Sequence, residues 1–398
     1  MSGFDLSPRA ARRALSAVSD TVDVADAVVA ERYARVVWNS LAEPGDGVAG
    51  RVIAELGATA ALRLLMDGDL TSTSVTSERE LTDGRKRWMP RLSAAPIAHA
   101  LEIASVRRVR LLVPGDVEWP AQVDDLGENA PLALWARGDA SLPARAGASV
   151  AIVGARAATS YGEHVAMELS ADLAASGVPI VSGAAYGIDG AAHRAALAVG
   201  GATIALLAGG VDRPYPAGHS SLIDRIATAG AVVSEVPCGA SPTKWRFLAR
   251  NRLIAAVSAA TVVVEAGWRS GSLNTAGHAA ALGRSIGAVP GPVTSGASAG
   301  CHRLLREFGA QCITSAADVR ELLGFVEHPA APPPDGRPPT DERMRVRDAL
   351  SGRSWRDVDD LAARSGMSPS DVEMHLGLLL IEGRVEREGR RWRHLAER

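Results

Sequence analysis

The sequence predicts an α/β chain with a mostly parallel, doubly wound sheet at its centre, a helical N-terminal region before it and a C-terminal winged-helix domain after it. Three observations predict this. Between residues 147 and about 325, apolar runs bounded by glycine alternate with stretches long enough for crossover helices. The runs are apolar on nearly every residue, as strands buried on both faces of a parallel sheet must be. Beyond a Pro-rich stretch, a short segment is patterned as three helices and a hairpin.

Residues 1–145 read as a helical region and connector. The stretch ERYARVVWNSLAEPGDGVAGRVIAELGATAALRLLMDG sets apolar residues at helical spacing around the turn PGDG. Helix, Gly-containing turn, helix is how a helix-hairpin-helix or SAM-like module begins, and a helical cap with no binding role fits equally well. VRRVRLLVPGDVEWPAQVDDLGENAPLALWARGD then holds two short strand-like runs leading into the central domain.

The central domain is expected over 146–326. Its runs are ASVAIVG, VPIVSG, ATIALLAGG, AVVSEV, TVVVEAG, RSIGAVPG and AQCITSA, separated by stretches such as YGEHVAMELSADLAASG that end in glycine. This is an extended Rossmann-like pattern. Residues 327–340, EHPAAPPPDGRPPT from its Glu327 position onward, form a semi-rigid linker. In 341–398, Gly366 and Met367 join two helices with Ser368 as cap, and GRVEREGRRWRHL alternates like a hairpin. Its arginines 384, 387, 390, 391 and 393 are offset by acidic neighbours, so duplex binding and protein interaction both remain open.

Of the 398 residues, 47% are hydrophobic and 22% charged, which supports a sizeable core. Formal net charge is −2, so a nucleic-acid site must be a local patch, not a global field. Cys238, Cys301 and Cys312 form no CxxC pair, which argues against a disulfide framework or a zinc site and fits a reducing cytoplasm. The N-terminus lacks a signal-peptide core, and no apolar stretch is long enough to span a bilayer. A cytoplasmic chain without membrane, metal or cofactor is the expectation.

Ligands of open parallel sheets bind beyond the carboxyl ends of the strands. After the first run, Gly154-Ala155-Arg156 feeds a helix opening at Thr159, offering amides and a guanidinium to an anion, although GxGxxG is absent. After the second come Ser182 and Gly183, with Asp189 and His193 one helical turn apart; without a nucleophile or metal partner, helix capping is the better reading of that pair. The segment from Pro242 is the most distinctive. Lys244, Arg246, Arg250 and Arg252 cluster around Asn251, and no acidic residue stands between Glu235 and Glu265. With Trp245 and Phe247 interleaved, it suits a phosphate backbone with bases stacking nearby. The fourth element is Arg269-Ser270-Gly271-Ser272, small hydroxyls at a turn before a helix. Several anion-ready termini along one edge suit a polyphosphate chain better than one small metabolite.

In order and spacing, VAIVGAR, VSGAAYGID, GGVDRPYP, SEV, RNRLIAAVS, VVVEA, SGSLNTA and AVPG strongly resemble the DprA (Smf) family over residues 147 to about 320. The resemblance implies a homodimer that binds single-stranded DNA and loads the RecA recombinase onto it during natural transformation or recombination, without catalysis. Carried over by motif, the DNA-binding residues are Arg156, Ser182, Gly183, Lys244, Arg250, Asn251, Arg252, Ser270, Gly271 and Ser272, to which the basic cluster adds Arg246. GAR stands for the family's more usual GSR, and SGAAYGID for SGLAxGID; neither change removes a positive charge.

Two enzymatic readings compete. A phosphoribohydrolase resembling the cytokinin-activating type would use Glu265 at its strand end, but GWRSGSLNTA stands where a PGGxGT loop belongs. An NAD-dependent oxidoreductase lacks both the glycine fingerprint and an acidic residue after VPIVSG to take a ribose.

Overall fold

A computed structural model describes residues 5–20, 24–70, 74–325 and 341–395. Chain contacts divide it into a unit up to Glu327 and a unit from His328. Among the described residues no helix is long and apolar enough to cross a membrane.

The large unit is built on one nine-stranded sheet. Its strands are β1 (Arg110–Leu112), β2 (Leu134–Gly138), β3 (Val150–Val153), β4 (Ile180–Ser182), β5 (Thr203–Leu207), β6 (Ala231–Ser234), β7 (Ala260–Val263), β8 (Ser285–Ala288) and β9 (Gln311–Cys312). All seven apolar runs of the central segment became β3 to β9, and their order in the sheet is 6-5-4-3-7-8-9, parallel throughout. Chain growth runs outward from β3 to β6 and then returns to the other side of β3 at β7. The sheet therefore has a topological switch point between β3 and β7.

Two expectations are corrected here. The strand-like runs before residue 145 are β1 and β2, and they extend the same sheet, β2 pairing antiparallel with β6. The boundary expected at 145/146 does not separate two bodies either. Trp38, Leu41, Val52, Leu62 and Trp88 from the N-terminal helices share one buried cluster with Ala205, Leu207 and Val232 of the sheet. A helical layer this apolar on its inner face has to be covered, and the sheet's carboxyl-side surface covers it. The PGDG turn forms as read: Asp46 caps the helix Gly47–Leu56 by accepting from the amides of Val48 and Ala49.

Polar groups fasten the helix Lys244–Val257 to the end of β6 and the N-terminal helices to both. Arg252 donates Nη2 to both oxygens of Glu235 at 2.7 and 2.8 Å, with both side chains 6% exposed. Asn39 Nδ2 donates to the Glu235 carbonyl at 2.7 Å, and Asn39 Oδ1 accepts from Trp135 Nε1 at 3.0 Å. Nearer the surface, Glu43 accepts from Arg246 Nε and Nη2, both at 2.9 Å, and pairs with Arg91 at 2.6 Å.

The small unit has helices Glu342–Ala349, Val358–Ser365 and Pro369–Ile381, plus a three-stranded sheet of β10 (Arg356–Asp357), β11 (Val385–Glu388) and β12 (Arg391–His394) in the order 10-12-11. Gly366 ends one helix at φ 67° and Ser368 caps the next, as the sequence predicts. The third helix carries no lysine or arginine and exposes Met374, Leu378 and Ile381, unlike a helix that reads a duplex groove. The linker expected over 327–340 lies outside the described residues.

The Arg252–Glu235 pair makes a stability prediction. Arg252→Met leaves a buried carboxylate without its cation and is expected to cost about 3–5 kcal/mol in urea unfolding. The double variant Arg252→Met/Glu235→Leu should recover most of that loss; a double variant as unstable as the sum of the singles would contradict the pairing.

Candidate nucleic-acid interface

The sheet's switch point opens into a pocket of about 480 Å³. Its walls come from the loop after β3 (Gly154 to Ala157), the loop after β7 (Gly267 to Ser272) and the helix Lys244–Val257. Each wall has a local reason. Thr159 caps the helix Ser160–Ala175 by accepting from the Gly162 amide, so the β3 loop must turn sharply before it. Thr243 caps the helix Lys244–Val257 by accepting from the Arg246 amide at 3.3 Å. Ser270 and Ser272 share a hydrogen bond between hydroxyls at 2.7 Å across the start of the helix Ser272–Ala281.

Arg250 is the centre of this arrangement. The last turns of its helix are buried on every side, from Arg250 through Val257. Its guanidinium donates Nη1 to the Gly183 carbonyl at 2.7 Å and to the Leu206 carbonyl. Those carbonyls lie at the carboxyl ends of β4 and β5, so one side chain joins two strand ends. A Cβ at Gly183 would lie 2.2 Å from that Nη1, which is why glycine stands there. Asp189 completes the cradle by accepting from the amides of Gly183 and Ala185 at 3.1 and 3.3 Å. Burial raises the Asp189 carboxyl, opposed by Arg250 and those two amides. Burial likewise pushes Arg250 down to about 10, with Asp189 drawing it up and Arg156 pushing it down. Arg250 stays cationic at neutral pH.

Around this core the pocket gathers Arg156, Asn251, Ser270, Gly271 and Ser272, as well as Phe247 and Arg269. Arg156 is exposed, with its guanidinium 4.9 Å from the Phe247 ring centre. Asn251 Nδ2 reaches the Gly271 carbonyl at 3.3 Å and Asn274 Oδ1 at 3.2 Å, bracing the serine loop. Three guanidiniums thus face one carboxylate, and that carboxylate is held by backbone amides.

The structure does not bring the other expected residues to the pocket wall. Ser182 is fully buried and donates Oγ to the Ile152 carbonyl at 2.7 Å. Gly183 stands behind Arg250. Lys244 is exposed at the helix start, outside the wall. Arg246 and Arg252 are spent on Glu43 and Glu235. The segment that is free of acid in sequence is therefore not free of acid in space, and the reading of Arg246 and Arg252 as phosphate ligands is corrected on that ground. Arg269, which the sequence places in the serine-loop element although no family motif carries it over, lines the pocket.

The competing chemistry loses its groups. Glu265 accepts from Thr159 N at 2.9 Å and Thr159 Oγ1 at 2.6 Å, and it does not line the pocket. His193 Nδ1 bonds Thr203 Oγ1 at 2.7 Å inside the core, away from Asp189's amides. No group of three or more metal-ligating side chains occurs among the described residues.

Residues 110–324 match the profile of DNA recombination-mediator protein A, and residues 329–389 that of the DprA winged helix domain. A DNA processing protein DprA of Mycobacterium tuberculosis is 50% identical over 314 residues, covering 75% of this chain and 80% of its own. That of Streptococcus pneumoniae is 43% identical over 207 residues, covering 50% and 71%. The X-ray structure of the S. pneumoniae protein superposes with a TM-score of 0.57 at 29% identity, over 73% of this chain and 97% of that one. A Helicobacter pylori DNA processing protein A, described for its single-stranded DNA binding mode, gives 0.50 at 31% identity, over 55% and 98%.

Behind the pocket, burial holds His193 down to about 3, so the folded chain keeps it neutral where the unfolded chain protonates it. The unfolded state then binds more protons between the ordinary histidine value and about 3, and stability falls as pH falls through that window. Urea unfolding of the native chain should lose up to about 1.4 kcal/mol per pH unit more than His193→Gln below pH ~6. Identical slopes in the two proteins would contradict this.

Proposed function

Because the chain belongs to the DNA recombination-mediator protein A (DprA/Smf) family, we propose that it binds single-stranded DNA at the switch-point pocket, protects it, and loads a RecA-type recombinase onto it. The observation that carries this reading is the charge imbalance of the pocket: Arg156, Arg250 and Arg269 against Asp189 alone. A phosphodiester chain supplies the missing negative charge at regular intervals, which a single small anion does not.

The division of labour follows from burial. Arg156 and Arg269 are exposed and take phosphates directly. Arg250 is committed to two strand ends, so it adds field and shapes the wall. Hydroxyls of Ser270 and Ser272 and the amides around Gly271 take a further phosphate at a helix start. Lys244 extends the positive track outside the pocket. No bond is made or broken, so the chain acts as a mediator and not as an enzyme. A homodimer, as the family resemblance implies, would present two such pockets to one strand.

The test is fluorescence anisotropy with labelled oligo-dT over a salt series. The native chain should bind with log affinity falling linearly against log salt. Arg156→Ala/Arg269→Ala should bind at least tenfold more weakly, with a slope shallower by about 1.4, the value for two single-strand phosphate contacts. Salt-insensitive binding, or a slope the double variant leaves unchanged, would refute the reading.

A further inference from the structure

The chain is poor in aromatic residues, at 4%, with eight Trp, four Tyr and four Phe. Yet Tyr161, Tyr186, Tyr215, Trp245 and Trp268 are each 44–62% exposed. Each follows a different strand, in the order β3, β4, β5, β6 and β7. The order of the sheet therefore sets the ring-bearing loops along its carboxyl edge as Trp245, Tyr215, Tyr186, Tyr161 and Trp268. Five adjacent strands span about 19 Å at the usual spacing. Exposed rings forgo the burial that normally keeps aromatics inside, and an edge that carries one ring per strand has a use for them.

The two tryptophans flank the pocket. Trp245 starts the turn that puts Phe247 and Leu248 on one wall, and Trp268 stands between Gly267 and Arg269 of another. The Tyr215 ring packs on Phe247 with centres 5.5 Å apart. The Arg303 guanidinium lies 5.2 Å from the Trp268 ring centre, which places a cation beside that ring.

We propose that Trp245 and Trp268, with Tyr215 and Tyr186 between them, are base-stacking platforms, and that these rings, not the arginines, make the edge select unpaired strands. The proposal rests on the single-strand reading above and says what enforces it. Guanidiniums neutralise phosphates of duplex and single strand alike. A ring can stack only on a base whose face is free, and every base offers one, so the contact selects strandedness without selecting sequence. The bound strand then crosses the ends of β6 through β7 and is longer than the pocket.

The experiment separates bases from backbone. Anisotropy is measured with oligo-dT and with an abasic oligonucleotide of the same length, for the native chain, Trp245→Ala/Trp268→Ala, and Trp245→Phe/Trp268→Phe. The native chain should prefer oligo-dT by about tenfold or more. The alanine variant should bring the ratio towards one with the salt slope unchanged, and the phenylalanine variant should keep most of the preference. Oligo-dT should also quench native tryptophan fluorescence more than the abasic strand does, a reading independent of any variant. A ratio unchanged in the alanine variant, whether or not its self-association changes, overturns the proposal. Salt-sensitive binding without any native preference for bases overturns it while leaving the phosphate site standing. Absence of native binding to either strand overturns both.

Discussion

Everything at the sheet's carboxyl edge depends on one buried cation. The Arg250 guanidinium sits between the ends of β4 and β5 and donates to the carbonyls of Gly183 and Leu206. Asp189 holds the facing amides and balances its charge from behind. Burying a guanidinium is costly unless its charge is answered; here Asp189 answers the charge and Nη1 serves two carbonyls, while the buried Nε has no hydrogen-bond partner among the described residues. The helix Lys244–Val257 is thereby fixed against the strand ends. With that helix fixed, Phe247 and Asn251 fall into the pocket wall, and Asn251 in turn braces the serine loop after β7.

The same helix ties the N-terminal layer to the sheet, by different residues. Arg246 and Arg252 point towards Glu43 and Glu235. Charge on this helix is therefore sorted by direction: two guanidiniums hold the molecule together, one shapes the pocket, and Lys244 is left to solvent. Coulombic attraction in a low-dielectric setting decides which is which, because a pair 6% exposed on both sides is not available to a phosphate. The exposed cations of the pocket lining are Arg156 and Arg269, so a chain with net charge −2 still presents a cationic pocket.

The Rossmann-like sheet was legible because its signal is local. Each strand of the parallel set lies in a short, largely apolar run, five of the seven ending at a glycine, and all seven are strands in the structure. The helix start at Thr159 and the cap at Ser368 were legible for the same reason, since a cap is written within three residues of its helix. β1 and β2 were legible as strands but not as members of this sheet. The antiparallel pairing of β2 to β6 joins residues about a hundred positions apart, and nothing in a short run names its partner.

What the sequence by itself determined is the set of elements and the sheet edge at which the candidate site residues gather. Periods of two and near four residues, turn glycines and capping side chains act over a few positions, so a linear reading suffices for them. Only the tertiary structure decided which cations remain free. Glu43 stands 203 residues from Arg246, and Glu235 stands 17 from Arg252 across a loop and the first turns of a helix. Whether an arginine meets a carboxylate or solvent depends on where the chain brings the second charge, and that is a property of the packed sheet and helices, not of any stretch of the sequence.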